Sequence, residues 1–302
     1  MSGSSRKTII YLVLVFVLFT IIAGSFYIII GGDSLGKPGA NRVEVIYVQG
    51  VMLTGSVPSG LGVATSEEIT KSLNDAAENS RVKAIVMRIN SGGGSPAAAE
   101  EIVSAMEKID KPIVVSMGDV AASAAYYISA PADRIIANPD TITGSIGVIW
   151  VFQNRSAFYE DEGISFYVSK SGEFKDMGGD WRGLSDDEKM YADQVVFEVY
   201  GRFVKTVADG RNLSLGQVKD MADGRVYTGA RAKELGLVDE FGSLDDAIEV
   251  AARLGGIEGK PDVRYANRPS LSRLLFGGEN PDLSGFTKYY YESPYGRLLS
   301  IS

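Results

Sequence analysis

Met117-Gly118-Asp119-Val120-Ala121-Ala122-Ser123-Ala124-Ala125-Tyr126-Tyr127 is the stretch on which the fold turns. An apolar, β-branched run precedes it, Pro112-Ile113-Val114-Val115-Ser116, which reads as a buried strand. Gly118 permits a sharp turn, and the alanine-rich segment beyond it favours a helix. Ser123 is thereby expected in the first turn of a helix leaving the carboxyl end of a sheet strand. That is the edge at which open α/β sheets bind ligands. The small neighbours Ala121, Ala122, Ala124 and Ala125 leave room for a substrate backbone. The unpaired N–H groups of the helix start suit a negative oxygen. The plainer reading is a packed Ala/Ser helix with Ser123 as an N-cap or a buried hydroxyl.

Upstream lies a second unit of the same kind. Ala84-Ile85-Val86-Met87-Arg88-Ile89 reads as a strand, Asn90-Ser91-Gly92-Gly93-Gly94-Ser95-Pro96 as a glycine loop, and the next residues as a helix with Ser95 at the N-cap and Pro96 at N1. Ala99, Ile102, Val103, Met106 and Ile109 recur on one face of that helix. A glycine loop before a helix exposes backbone N–H groups and makes an anion cradle. Neither the Gly-Lys-Ser/Thr of a phosphate-binding loop nor the GxGxxG order of a dinucleotide loop is present, so a simple flexible turn stays open. Two consecutive strand–loop–helix units imply a mostly parallel sheet with helices packed on it. Both loops then emerge on one edge, with the Gly92–Gly94 amides near Ser123, as an acyl-transfer oxyanion hole requires.

The 302 residues include no cysteine and no histidine. This excludes Ser-His-Asp and Cys-His catalysis, zinc sites built on those residues, thiol chemistry and disulfides. A serine nucleophile needs another base, and lysine is the main candidate, since burial lowers an amine pKa. With 30 basic and 38 acidic residues the formal charge is −8, which argues against nucleic acid as the main partner.

Residues 9–30 carry no charge and would span about 33 Å as a helix, enough to cross a bilayer. Arg6 and Lys7 precede them, so the N-terminus is expected in the cytoplasm and the remainder outside. A cleaved signal peptide is the competing reading, but the apolar run continues through Phe26-Tyr27-Ile28-Ile29-Ile30 beyond the small residues Ala23-Gly24-Ser25. Residues 31–41 read as a tether. Further expected elements are a strand at 43–48, a helix at 66–78 and a strand at 134–137. A turn at Thr143-Gly144-Ser145 should lead into a strand, and Phe166-Tyr167-Val168 is β-like. A helix is expected at 185–208, with Ser185 and Glu188 as its capping box, and another at 244–254. From residue 260 the tail reads as irregular.

In their order, Asn90-Ser91-Gly92-Gly93-Gly94, Ala121 to Tyr127, Thr143-Gly144-Ser145-Ile146-Gly147-Val148, Lys170-Ser171-Gly172-Glu173-Phe174-Lys175 and Asp223-Gly224-Arg225-Val226-Tyr227-Thr228-Gly229 match one pattern. Over about residues 42–254 the chain resembles the signal peptide peptidase A family in its short, single-copy form. The resemblance implies an α/β, ClpP/crotonase-like fold of repeated β-β-α units and a dome-shaped homo-oligomer. It implies a membrane-anchored serine peptidase with a Ser/Lys dyad and no cofactor or metal. The nucleophile falls on Ser123 and the base on Lys175, with Lys170 as a nearby competitor that reads as a solvated strand-end lysine. Ser145 would steady the lysine amine, or serve only as a turn hydroxyl. The oxyanion donors fall on the amides of Gly94 and Ala124. Gly92 stands where the family commonly has proline, and Ala124-Ala125 where it often has Gly-Gly. The first is expected to loosen the loop, the second to narrow close approach by two methyls.

The expected organisation is a cytoplasmic N-terminus (1–8), a transmembrane anchor (9–30), a linker (31–41), the peptidase domain (42–256) and an irregular extension (257–302). The expected activity is cleavage of signal-peptide remnants and other extended apolar peptides at the outer face of the cytoplasmic membrane. A processing protease for one membrane protein, an inert peptide-binding scaffold and an acyl-CoA enzyme of crotonase type are the alternatives.

Overall fold

The computed structural model describes residues 12, 15–20, 41–55 and 62–267. Of the expected anchor, only Leu12 and residues 15–20 fall among them, and these are helical. Among the described residues no helix is long and apolar enough to cross a membrane. The expected cytoplasmic N-terminus, nearly all of the linker and the tail beyond Asn267 lie outside the described residues.

The architecture is mixed α/β around one central sheet. Strands β1 (Arg42–Gln49), β4 (Val82–Ser91), β5 (Ile113–Ala122), β6 (Arg134–Ala137), β9 (Glu240–Phe241) and β10 (Asp262–Tyr265) run in the order β10-β1-β4-β5-β6-β9. Every pairing along that path is parallel. The end of β5 also pairs with β7 (Ile142–Gly144), which pairs antiparallel with β8 (Val226–Thr228). A separate two-stranded ribbon joins β2 (Val51–Leu53) to β3 (Val63–Thr65).

Burial follows the two-residue period of a strand. Ile85, Met87, Ile113, Val115 and Met117 enter one apolar cluster, beside helices α1 (Ser66–Glu78), α2 (Pro96–Met106), α3 (Ala124–Ser129) and α5 (Asp186–Arg211). Ala84, Val86 and Val114 enter the cluster on the opposite face, under Ala247, Ile248 and Ala251 of α8 (Leu244–Leu254). A sheet covered on both faces needs apolar side chains at successive positions, as the runs at 84–87 and 113–115 provide. The remaining helices are α4 (Ser156–Asp161), α6 (Leu215–Met221) and α7 (Gly229–Glu234).

Four expectations are corrected. Gly118 is no turn: β5 runs through it, and the absent side chain lets the strand pass Asn90, whose atoms would lie 3.0 Å from a Cβ at that position. No strand follows Ser145; that residue has φ 49 and donates its N–H to Arg225 O at 2.9 Å, which turns the chain off the sheet. Phe166-Tyr167-Val168 is not a strand either; its side chains are exposed, Tyr167 at 95%. Beyond residue 260 the chain also returns to the sheet, where β10 pairs with β1 and Arg42 donates to Asp262 at 2.8 Å. An edge strand held by backbone pairing and an ion pair needs little apolar pattern, which is why Asp-Val-Arg-Tyr gives so weak a signal.

Candidate active site

The site forms where β4 and β5 end together. Ser91 closes β4, donates its hydroxyl to Gly50 O at 2.6 Å and accepts from Gly93 N at 3.1 Å. The loop is pinned to β2 as well: Met52 N donates to Gly93 O at 2.9 Å, and Ser95 N donates to Met52 O at 2.7 Å. These ties hold the backbone on both sides of Gly92, so the missing proline leaves a loop that is nonetheless fixed. Two of its glycines are obligatory. Gly93 has φ +111, and a Cβ there would lie 2.9 Å from both Ala124 N and Ser123 Cβ. Gly94 has φ +152, and a Cβ there would lie 2.1 Å from Met52 O. Gly94 N–H donates to no group among the described residues.

Ser123 sits at the junction of β5 and α3 with φ 54 and ψ −127. Such a conformation costs a non-glycine residue roughly 1–3 kcal/mol and persists only where its surroundings impose it. They do so here: Ser123 N donates to Gly144 O at 2.8 Å, and Tyr127 N donates to Ser123 O at 2.9 Å. Helix α3 is itself anchored. Tyr126 is fully buried and donates its hydroxyl to Leu237 O at 2.9 Å, while Tyr127 donates to the Glu100 carboxylate. Burial first, then the Glu100 hydrogen bond, pushes the Tyr127 hydroxyl up to about 12. Ser123 occupies the N-cap position, but its side chain makes no cap hydrogen bond and has no other partner among the described residues. The Ala124 N–H is likewise unpaired among them. The structure therefore leaves together one serine hydroxyl and two N–H groups without partners among the described residues. The methyl of Ala125 is turned wholly into the core.

Ser123 and Ser145 line one groove of 510 Å³. Its walls are largely apolar, with Val148, Ile149, Val196, Phe197 and Tyr200. Lys219, Asp223 and Gly224 also line it. The Arg225 guanidinium holds the Asp223 carboxyl below the usual carboxylate range. Sequence reasoning missed this wall. Val196, Phe197 and Tyr200 form a second stripe on α5, beside the stripe of Val195, Val199, Phe203 and Val207 that marks its packed side. Two adjacent apolar faces on one helix were the available signal.

Lys175 does not line this groove. It lies in a single 3-10 turn, Glu173–Asp176, is exposed, and its amine has no partner among the described residues. Lys170 is not the solvated strand-end lysine expected: it donates to Glu173 O at 2.9 Å and to Asp176 Oδ1 at 2.8 Å. Within one chain, then, the structure brings together Ser123, Ser145, Gly94 and Ala124, and leaves Lys175 apart. No group of His, Cys, Asp or Glu able to hold a metal occurs among the described residues.

A strained serine at a strand–helix junction, beside N–H groups without partners among the described residues, sits on a mixed α/β sheet of the kind the ClpP-like class has. Residues 46–141 match the Clp protease family profile, and residues 105–258 match Peptidase family S49. A protein described as a protease in Synechocystis sp. is 38% identical over 234 residues, 76% of this chain and 83% of that protein. Another in Methanocaldococcus jannaschii is 31% identical over 290 residues, 93% of this chain and 90% of its own. A protein named as a signal peptide peptidase SppA in Enterococcus faecium is 38% identical over 198 residues, 65% of this chain and 58% of its own. The chain belongs to Peptidase family S49 and is a serine peptidase of the SppA type.

Proposed function

We propose that the chain is a membrane-anchored endopeptidase in which Ser123 attacks a peptide carbonyl and Lys175 of a neighbouring copy takes the proton. The observation that carries the reading is the unpartnered Ser123 hydroxyl, held in a strained conformation beside the unpaired Gly94 and Ala124 amides. The oxyanion formed on attack would accept from those two N–H groups, and loss of one such donor costs about 3–4 kcal/mol of barrier in other hydrolases. The proton on Ser123 Oγ passes to the lysine amine and from there to the leaving amine, and water then releases the acyl group by the same route in reverse. Ser145, on the wall beside Ser123, would steady the incoming amine.

The exposure of Lys175 favours a base supplied in trans. The segment leading to it is rich in exposed apolar side chains: Ile149, Val151, Phe158, Ile164, Phe166, Tyr167, Val168 and Phe174. A patch of this kind marks a protein interface, and a homo-oligomer would cover it. Docking would also withdraw the lysine from water, which a neutral amine base requires. The apolar groove wall suits extended apolar peptides such as signal-peptide remnants. The uncharged segment 9–30 would anchor the chain, with Arg6 and Lys7 holding the N-terminus inside and the peptidase domain outside.

Mixing two inactive variants tests this reading. Ser123→Ala and Lys175→Ala should each lose activity on a quenched apolar peptide, and subunit exchange between them should restore part of it. Full activity of Lys175→Ala alone, or no recovery after verified exchange, would overturn the trans base.

A further inference from the structure

Beside Lys175 the chain builds a linked row of four charges, Lys170–Asp176–Arg182–Glu188. Arg182 donates to Glu188 through two nitrogens, Nη1 to Oε2 at 2.8 Å and Nη2 to Oε1 at 2.6 Å. The same guanidinium donates to Asp176, Nη2 to Oδ1 at 2.7 Å and Nε to Oδ2 at 3.1 Å. Lys170 adds its ammonium to Asp176 Oδ1 at 2.8 Å and to Glu173 O at 2.9 Å. Glu188 completes the capping box of α5, accepting from Ser185 N at 2.8 Å. The carboxylates are nearly dry, with side-chain exposures of 9% for Asp176 and 2% for Glu188.

Isolated surface ion pairs contribute little and wander. This one is different in kind: two near-buried carboxylates share a planar, bidentate donor, a geometry that fixes direction as well as distance. What it fixes is narrow. Lys170 clasps both ends of the turn Glu173–Asp176, and Arg182 ties that turn to the first turn of α5. On the other flank Phe174 packs edge-on against Tyr191 of α5, ring centroids 5.5 Å apart. Lys175 lies between these two tethers and is the one cation of the turn left without a partner among the described residues.

We infer that Asp176, Arg182 and Glu188, with Lys170, are positioning residues: they aim the Lys175 amine outward from the rigid end of α5 so that it meets the serine of the adjoining subunit at a set reach. The inference rests on Lys175 as the base. The network performs no proton transfer. It removes the freedom of a four-residue turn, and a displacement of about 1 Å at a catalytic group can cost on the order of a hundredfold in rate.

The subunit-mixing assay reads this role directly, because a positioning defect is confined to the lysine half of the site. Asp176→Asn and Arg182→Gln should lower kcat about 10- to 100-fold with KM held within about threefold. Arg182→Lys, which keeps the charge and loses the fork, should recover only part of that loss. Asp176→Asn subunits exchanged with Ser123→Ala subunits should regain activity, since the first supply an intact Ser123 and the second an intact Lys175 turn. Asp176→Asn exchanged with Lys175→Ala should not, since neither supplies an aimed amine. A merely misfolded Asp176→Asn chain would fail in both mixtures and would overturn the inference. So would wild-type kcat in Asp176→Asn and Arg182→Gln while Lys175→Ala is inactive. Activity retained by Lys175→Ala itself would instead sink the reading of the base on which this inference stands.

Discussion

Gly93→Ala places one methyl at the point where the glycine loop meets the nucleophile. The added carbon would lie 2.9 Å from Ala124 N, 2.9 Å from Ser123 Cβ and 3.0 Å from Ala122 O. Ordinary contacts of a carbon are about 3.5–4.0 Å, so the loop and the β5–α3 junction must part by roughly half an ångström to 1 Å. The backbone resists on its own account, since φ +111 is strained for any L side chain. Relief is blocked on the loop side by the ties of Gly93 to Ser91 and Met52. The stability cost should be about 1–3 kcal/mol. The catalytic cost should be larger, because the displaced groups include the Ala124 N–H and the hydroxyl it accompanies. Loss of one oxyanion donor alone lowers kcat about 10²–10³-fold. Gly92→Ala is the matched control: Gly92 is exposed, outside the set of positive-φ glycines, and should stay within about twofold of wild type. The assay is steady-state cleavage of a quenched apolar peptide, with thermal melting to separate folding from catalysis. A folded Gly93→Ala enzyme with kcat within threefold of wild type would refute the placement of the oxyanion beside Ser123.

Three further outcomes follow from the same geometry. Tyr126→Phe deletes the hydroxyl that donates to Leu237 O inside the core, and should destabilise by about 1–3 kcal/mol in denaturant melts; an unchanged midpoint would mean that carbonyl finds another partner. Acid should weaken the fold through Glu188, whose carboxyl the Arg182 guanidinium pulls down to about 2, and through Asp176, held well below the usual range by Arg182 and Lys170. Both pKa values are lower in the folded state, so their stabilisation is complete above about pH 5 and is lost as pH falls toward 2; a melting temperature that is flat from pH 6 to 3, or equally steep in Arg182→Gln, would contradict this. Lys219→Ala tests the lysine that shares the groove with Ser123, and it should keep kcat within about threefold; loss of a hundredfold or more would make Lys219 the base in place of Lys175.

Much of this site was legible in residue order. A parallel sheet brings the ends of successive strands to one edge, so β-branched runs at 84–89 and 112–116 were enough to place Gly93 beside Ser123. The capping box at Ser185 and Glu188, and the N-cap at Ser95, were readable because a helix start imposes its requirements within four residues. What escaped had non-local causes. The strain at Ser123 and Ser145 comes from carbonyls far along the chain, Gly144 and Arg225 among them. Strand β10 is held by an ion pair to Arg42, 220 residues away in sequence, and carries almost no apolar pattern. The groove wall on α5 was hidden because an apolar stripe looks alike whether it faces a core or a substrate. Lys170 and Lys175 differ only in what surrounds them: one is spent on Asp176, the other is free among the described residues, and no local rule separates them.

The identity of the nucleophile is the point on which the rest depends. A serine-directed acylating probe, followed by peptide mapping of the labelled protein, reads it in one step. A single adduct on Ser123, absent in Ser123→Ala and slowed in Lys175→Ala, is the expected result. An adduct on Ser145, or proteolysis that persists undiminished in Ser123→Ala, would contradict it.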